Sequence, residues 1–396
     1  MPQNTTISPK QNNSWVILSP SKWSDLKVSN HLISEELSNL CKEVFYVESP
    51  GVIGLKLNRI FKILYSLLKR KNLINIFNKN NNKNNLFFKY SNLKLISKFS
   101  LPFIGIPFID NIIFNFNFKN RELLFNLFNN ADNFLICSPI WIPIFFEWFY
   151  KNKKRKINFY FHLVDDIESY SHLKYYMKIL KDNIDKFNYV ISPNKILLEK
   201  YAKKKNYLHL THGFDCVLKE IEYKNIINDN KSIVYAGTFA NWLDYQLIDE
   251  ICNKFFDKDI FLIGKPARDI SLHDLKNIEK RNKNLTILNS MNKKELHKFL
   301  KRCSVAIVPY KSKLLHIKNC SPSKIMDYLG CGLPVISSSI PYCIQHKFVR
   351  TSDKNKLFLD EIEKCFKISK NTRVDYVNYA LKNTWKDKAR FILKNI

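Results

Sequence analysis

Short unbroken apolar runs alternate along this chain with stretches whose apolar residues recur every three or four positions. Residues 15–19 form the first run, a loop is predicted over 20–27, and a helical stripe covers 30–40. A second run at 43–47 completes a strand, helix, strand order, the entry to a parallel doubly wound sheet. Further strands are predicted at 134–137, Asn158–His162 and Tyr189–Ser192, and the apolar patch at 112–118 reads as another. Residues 57–72 carry an apolar stripe edged with Lys and Arg, the pattern of a basic amphipathic helix. The asparagine-rich stretch 77–89 reads as a loop.

After a polar, charged interval at 219–231 the rhythm restarts. Runs at 232–237, Asp259–Gly264, 285–288, 305–309 and 334–337 are nearly all apolar, with a helix predicted from about Asp244. Continuous apolar strands separated by helical segments are expected of parallel sheets covered on both faces. The prediction is therefore an α/β protein with two doubly wound Rossmann-like domains, residues 1–217 and 218–378, facing a central cleft. At 396 residues the chain is long enough for two separate cores.

Composition narrows this reading. The polar residues 1–13 offer no apolar signal region, and the most apolar stretch, 134–150, is interrupted by Pro139, Pro143 and Glu147, as a strand and helix would be. No membrane span is expected. Nine dispersed cysteines show no C-x-x-C spacing, which favours reduced thiols in the cytoplasm over a disulfide or metal framework. The net charge of +29 suits an anionic membrane surface or a lipid-diphosphate acceptor, although Lys and Asn also fill loops that carry no motif. A basic nucleic-acid-binding protein is the rival class, but no helix-turn-helix, zinc finger or RNP-like segment accompanies the charge.

The densest chemistry lies at 319–335. Ser321 is placed to cap a helix, Pro322 suits its first position, Ser323 follows, and Gly330 is expected to take the left-handed stop. Backbone N–H groups at such a start favour a phosphate. Lys324 adds a full positive charge, and Asp327 follows one turn later on the same face. A cation for a diphosphate beside a carboxylate for sugar hydroxyls is the chemistry of a nucleotide-sugar site. Without that context the two would form only a surface ion pair. Gly237 and Gly264 end strands where a backbone can approach a ligand, with Thr238 and Lys265 next in sequence. Asp165 and Asp166 are adjacent carboxylates without a third metal ligand, and helix capping accounts for them.

The order of these pieces resembles the donor domain of GT-B glycosyltransferases, specifically the family 4 group. The resemblance rests on strands ending in Gly237 and Gly264, the strand at 305–309, and the loop, helix and Gly-x-Pro-Val turn over 321–335. In the first half, residues 190–192 and 212–215 resemble the family's serine strand and hinge entry. Bacterial surface-polysaccharide members share the Trp-containing early loop, the helix opening near His31 and the segment at 162–166.

The resemblance implies transfer of a sugar from a nucleotide-sugar to a polysaccharide or lipid-linked acceptor, retaining and metal-independent, by a cytoplasmic protein peripheral to the membrane. It implies donor contacts from Gly237, Thr238, Gly264, Lys265, Asn319, Ser321, Ser323, Lys324 and Asp327. His162 would lie near the donor sugar, and His31 would touch phosphate or acceptor. Residues 379–396, from which Asn383, Thr384 and Trp385 lead into a basic helix, resemble the last helix that crosses back to the first domain. Departures are equally specific. Asn319 stands where the family's paired glutamates begin, Asp327 where they end, and residues 237–242 lack the usual Arg and Lys. A degenerate domain that binds without transferring is the corresponding alternative.

Overall fold

The computed structural model describes residues 11–24, 27–49, 86–90, 92–96, 106–117, 121–169, 173–202, 206–226, 231–267 and 271–395. The stripe predicted at 57–72 lies outside them, as do 1–10 of the polar N-terminus and 77–85 of the predicted loop. The chain divides between His209 and Leu210, eight residues ahead of the boundary taken from composition.

The first unit holds an eight-stranded sheet in the order β3-β4-β2-β1-β5-β6-β7-β8. Its strands are β1 (Gln11–Leu18), β2 (Cys41–Val47), β3 (Leu86–Tyr90), β4 (Leu93–Ile96), β5 (Asn133–Ile136), β6 (Asn158–His162), β7 (Tyr189–Ser192) and β8 (Tyr207–His209). All pair in parallel except β3 with β4. Strand β3 occupies residues that include the end of the predicted loop, where aromatic and aliphatic residues displace the asparagines. The patch read as a strand at 112–118 belongs instead to the helix Pro107–Asn117. Among its described side chains Asp110 and Ile113, three apart, are buried, while Phe108 and Ile112 are exposed, so burial there follows the helical and not the strand period.

The second unit is a six-stranded parallel sheet in the order β11-β10-β9-β12-β13-β14. The strands are β9 (Ser232–Ala236), β10 (Asp259–Gly264), β11 (Leu285–Asn289), β12 (Val305–Val308), β13 (Val335–Ser337) and β14 (Val349–Thr351). Renumbered from β9, this is the 3-2-1-4-5-6 order of dinucleotide-binding sheets, whose switch point lies between β9 and β12. The strand cores are fully buried, including Ile233, Val234, Ile260, Leu262, Ala306 and Ile307. Ligands of such sheets settle outside the carboxyl ends of the strands at the switch point.

The helix Trp385–Lys394 groups with this unit. Thr384 caps it, and Phe214 bridges to Thr384. The Phe214 N–H donates to the Asn383 carbonyl at 2.8 Å, which ties the segment entering the unit to its last helix.

Candidate functional site

The motif helix is Lys324–Gly330, seven residues long. It begins after Ser323, so neither Ser321 nor Pro322 takes the predicted cap and first-turn places. The reason lies in the preceding loop. The His212 imidazole donates from Nε2 to the Ser321 carbonyl at 2.9 Å, and burial lowers the His212 pKa to about 4. The Ser321 hydroxyl has no hydrogen-bond partner although it is buried, and Ser323 is exposed. The left-handed stop is Gly332, at φ +76°, and not Gly330. Gly332 N–H bonds the Leu329 carbonyl and Leu333 N–H the Tyr328 carbonyl, the paired bonds of a Schellman cap. Gly330 sits inside the helix beneath the Phe214 ring.

Tyr328 fixes this helix against the sheet. Its hydroxyl accepts from the Ala236 N–H at 2.8 Å at the end of β9. One turn earlier, Lys324 reaches the switch point, where its ammonium donates to the hydroxyls of Tyr310 at 2.6 Å and Tyr235 at 3.0 Å. The same ammonium lies 4.2 Å from the Tyr235 ring centroid and 5.1 Å from that of Tyr310. Burial lowers the Lys324 pKa to about 7, against smaller raising effects from Cys320 and Asp327. Tyr235 in turn donates to the Thr238 carbonyl at 2.9 Å.

Gly237 and Gly264 make room for this arrangement. A Cβ on Gly237 would lie 2.3 Å from the Lys324 Nζ, and one on Gly264 would lie 1.9 Å from the Gly237 carbonyl oxygen. Because that second neighbour is backbone, Gly264→Ala is expected to force the ends of β9 and β10 apart. A denaturant melt should show a loss of about 3 kcal/mol; a change within about 0.5 kcal/mol would show that the strand ends yield freely.

Asp327 bonds a different set of residues from Lys324. Its Oδ2 accepts from the Lys293 ammonium at 2.8 Å and its Oδ1 from His297 Nε2 at 3.1 Å. Burial would raise the Asp327 pKa, but Lys293 and His297 outweigh it and hold the carboxyl well below the usual carboxylate range. His297 is fully buried, stacks on Phe214 with an 8° interplanar angle, and contacts the Tyr223 hydroxyl through Nδ1 at 2.8 Å. Tyr223 then accepts from the N–H groups of Val217 and Leu218.

The structure thus gathers Gly237, Thr238, Gly264 and Lys324 at one strand-end cluster and sets Asp327 one turn along. Asn319 is buried at the end of the helix Leu315–Lys318, and Lys265 is exposed beyond β10. In the first unit, buried His162 bonds Asn30 Oδ1 through Nδ1 at 2.9 Å. His31 uses both ring nitrogens locally, accepting from the Val28 N–H and donating to the Lys22 carbonyl. Asp166 accepts from Tyr201 and Lys200 and, at the start of a short 3₁₀ turn, from the Glu168 N–H.

Sequence reasoning passed over Tyr235, Tyr310, Lys293, His297 and Tyr223. One signal was present: Asn292 and Glu295 form a capping box, and Lys293 and His297 are four apart on the helix they open.

No family model matches the chain, and no curated protein matches its sequence. Solved structures do. Sucrose-phosphate synthase from Thermosynechococcus elongatus superposes with a TM-score of 0.67 at 11% identity, over 97% of this chain and 98% of that one. Anabaena HepE in complex with UDP-glucose gives 0.62 at 10% identity, over 97% and 100%. An E. coli structure described as trehalose-6-phosphate bound with UDP-2-fluoro glucose gives 0.61 at 11% identity, over 96% and 98%. These likenesses establish the fold, that of GT-B glycosyltransferases with two parallel-sheet α/β units.

Proposed function

We propose that this chain is a glycosyltransferase that uses a nucleoside-diphosphate sugar, UDP-sugars first among them. The observation that carries the reading is the Lys324 ammonium at the switch point of a 3-2-1-4-5-6 sheet, against Gly237, where a Cβ would collide with it. As the bond from the sugar to the diphosphate breaks, negative charge grows on the departing phosphate. A preplaced ammonium in a site shielded from water stabilises that charge more than bulk solvent does. The Ser321 hydroxyl, buried without a partner, is a further group for the donor to satisfy. UDP in the structures of similar fold supports uridine as the first base to test.

Retention of configuration, metal independence, and a polysaccharide or lipid-linked acceptor complete the reading. The net charge of +29 supports contact with anionic lipid, and among the described residues no helix is long and apolar enough to cross a membrane. Asn319 in place of an acid keeps a binding-only domain as the second reading.

Thermal denaturation with UDP-, GDP-, CMP- and dTDP-sugars tests the proposal. Ligand at about one hundred times its Kd should add about 2.7 kcal/mol of stability, and sugar turnover should persist in excess EDTA. Binding without turnover on any donor would support the second reading. Absence of any shift, with steeply salt-dependent binding to duplex DNA instead, would sink the first.

A further inference from the structure

We propose that His212 is a positioning residue for the donor site: its bond to the Ser321 carbonyl aims the Ser321 hydroxyl at the diphosphate that Lys324 binds. This rests on the nucleotide-sugar reading of the same site and brings in a residue from outside the motif at 319–335.

The segment that carries His212 is fastened to the last helix, Trp385–Lys394. Just before His212, the Thr211 hydroxyl accepts from the Lys388 ammonium at 2.9 Å. Just after it, the Phe214 N–H donates to the Asn383 carbonyl at 2.8 Å, and the Trp385 N–H donates to the Phe214 carbonyl at 3.2 Å. Gly213 lets the two backbones come this close, since a Cβ there would stand 2.7 Å from the Trp385 nitrogen. The His212 ring is itself buried, and Trp385 and Tyr342 meet it edge to face at centroid distances of 6.2 and 6.4 Å. A ring held on so many sides is a rigid arm, and its Nε2 reaches the Ser321 carbonyl at 2.9 Å.

The donor loop is where such an arm counts. Residues 319–323 link the helices Leu315–Lys318 and Lys324–Gly330. The Ser321 carbonyl shares a planar peptide with the Pro322 nitrogen, and the Pro322 ring fixes the φ that follows. Holding that carbonyl therefore sets ψ of Ser321, and with it the direction of the Cα–Cβ bond. The hydroxyl at the end of that bond is buried and has no hydrogen-bond partner. A buried hydroxyl in that condition costs stability until an acceptor or donor completes it. Lys324 follows three residues later, so a single diphosphate can engage the ammonium and this hydroxyl together. Burial lowers the His212 pKa to about 4, which keeps the imidazole neutral near pH 7. The loop is thus aimed without a second charge beside the one that Lys324 supplies.

The test is titration of the whole chain with UDP, GDP and CDP, carrying forward the nucleotide that the wild type binds most tightly. His212→Phe keeps a buried ring but no donor, and should weaken that nucleotide by about tenfold. His212→Gln, whose amide nitrogen reaches the place of Nε2, should stay within about threefold of the wild type. His212→Asn reaches only as far as Nδ1 and should behave as His212→Phe does. Ser321→Ala removes a group that has no partner in the protein, so its melting temperature should hold while its affinity falls by about tenfold. The double variant of His212→Phe with Ser321→Ala decides: it should bind no more weakly than the weaker single variant, because His212 acts through Ser321. Losses that multiply, or His212→Phe affinity within about twofold of the wild type, would overturn the assignment while leaving the donor reading intact. Failure of all three nucleotides to bind the wild type would remove both. Should His212→Phe not fold, the same cycle with His212→Asn decides.

Discussion

Lys324→Met is expected to lower sugar transfer by about 10²–10³-fold, the effect of removing one preorganised group that stabilises developing charge. The loss should fall on kcat as well as on donor affinity, because charge on the diphosphate grows during the reaction. The pH dependence gives this expectation a second, sharper edge. Burial among Tyr235, Tyr310 and Gly237 lowers the Lys324 pKa to about 7, so the unliganded protein loses this positive charge as pH rises through neutrality. A bound diphosphate restores the proton. Affinity for UDP-glucose, whose diphosphate does not itself titrate there, should therefore weaken by up to about tenfold per pH unit above 7. Calorimetry at pH 8 in buffers of different ionisation enthalpy should register proton uptake on binding. Lys324→Arg, permanently charged, should flatten the profile where it still fits. Affinity independent of pH between 6.5 and 8.5, as ~2 units spanning the value, would exclude Lys324 as the diphosphate contact. The same depression bears on folding. Between about pH 7 and ~10.4 the unfolded chain holds the proton that the folded one has released, so stability rises with pH across that window.

Most strands of the second unit were legible because they are nearly unbroken apolar runs, buried throughout at Val305–Val308 and Val335–Ser337. Short strands such as Leu93–Ile96, Tyr207–His209 and Val349–Thr351 were not, since three or four residues beside Lys, His or Arg carry too little pattern. The helix at Pro107–Asn117 was misread because contiguous Ile and Phe look the same in either period until burial shows which of them face inward. At the site, Lys324 and the two glycines could be found from their order in sequence. Their partners could not. Tyr235 and Tyr310 read as ordinary core aromatics, and only the parallel pairing of β9 with β12 brings both to one ammonium. Asp327 was recognised as a carboxylate of the site, but the residues that aim it lie on a different helix, and nothing local to 319–335 names them.

Those residues make Asp327 a structural hub, and its removal should be felt in stability as well as in binding. Asp327→Ala leaves Lys293 and His297 facing one another without the carboxylate. Breaking a fully buried pair costs about 3–5 kcal/mol. Lys293 keeps 31% exposure, so about 2–3 kcal/mol is the better expectation here. The wild-type contribution should be present above the ordinary aspartate value of about 3.9 and fade as pH falls below it, because the folded carboxyl is held lower still.

Asp327→Asn, though isosteric, should do nearly as much harm. The wild-type carboxylate requires a proton on His297 Nε2, which leaves Nδ1 to accept from the Tyr223 hydroxyl. An amide nitrogen turned toward Nε2 would reverse the imidazole tautomer and press a second donor onto Tyr223. That hydroxyl already accepts from Val217 and Leu218, so its own proton would lose its acceptor. Disturbance at Asp327 therefore travels through two fully buried rings to the backbone that enters the unit. A double-mutant cycle between Asp327→Asn and His297→Gln should give a coupling of about 1–3 kcal/mol. Strict additivity would mean that the two side chains are neighbours without being a unit.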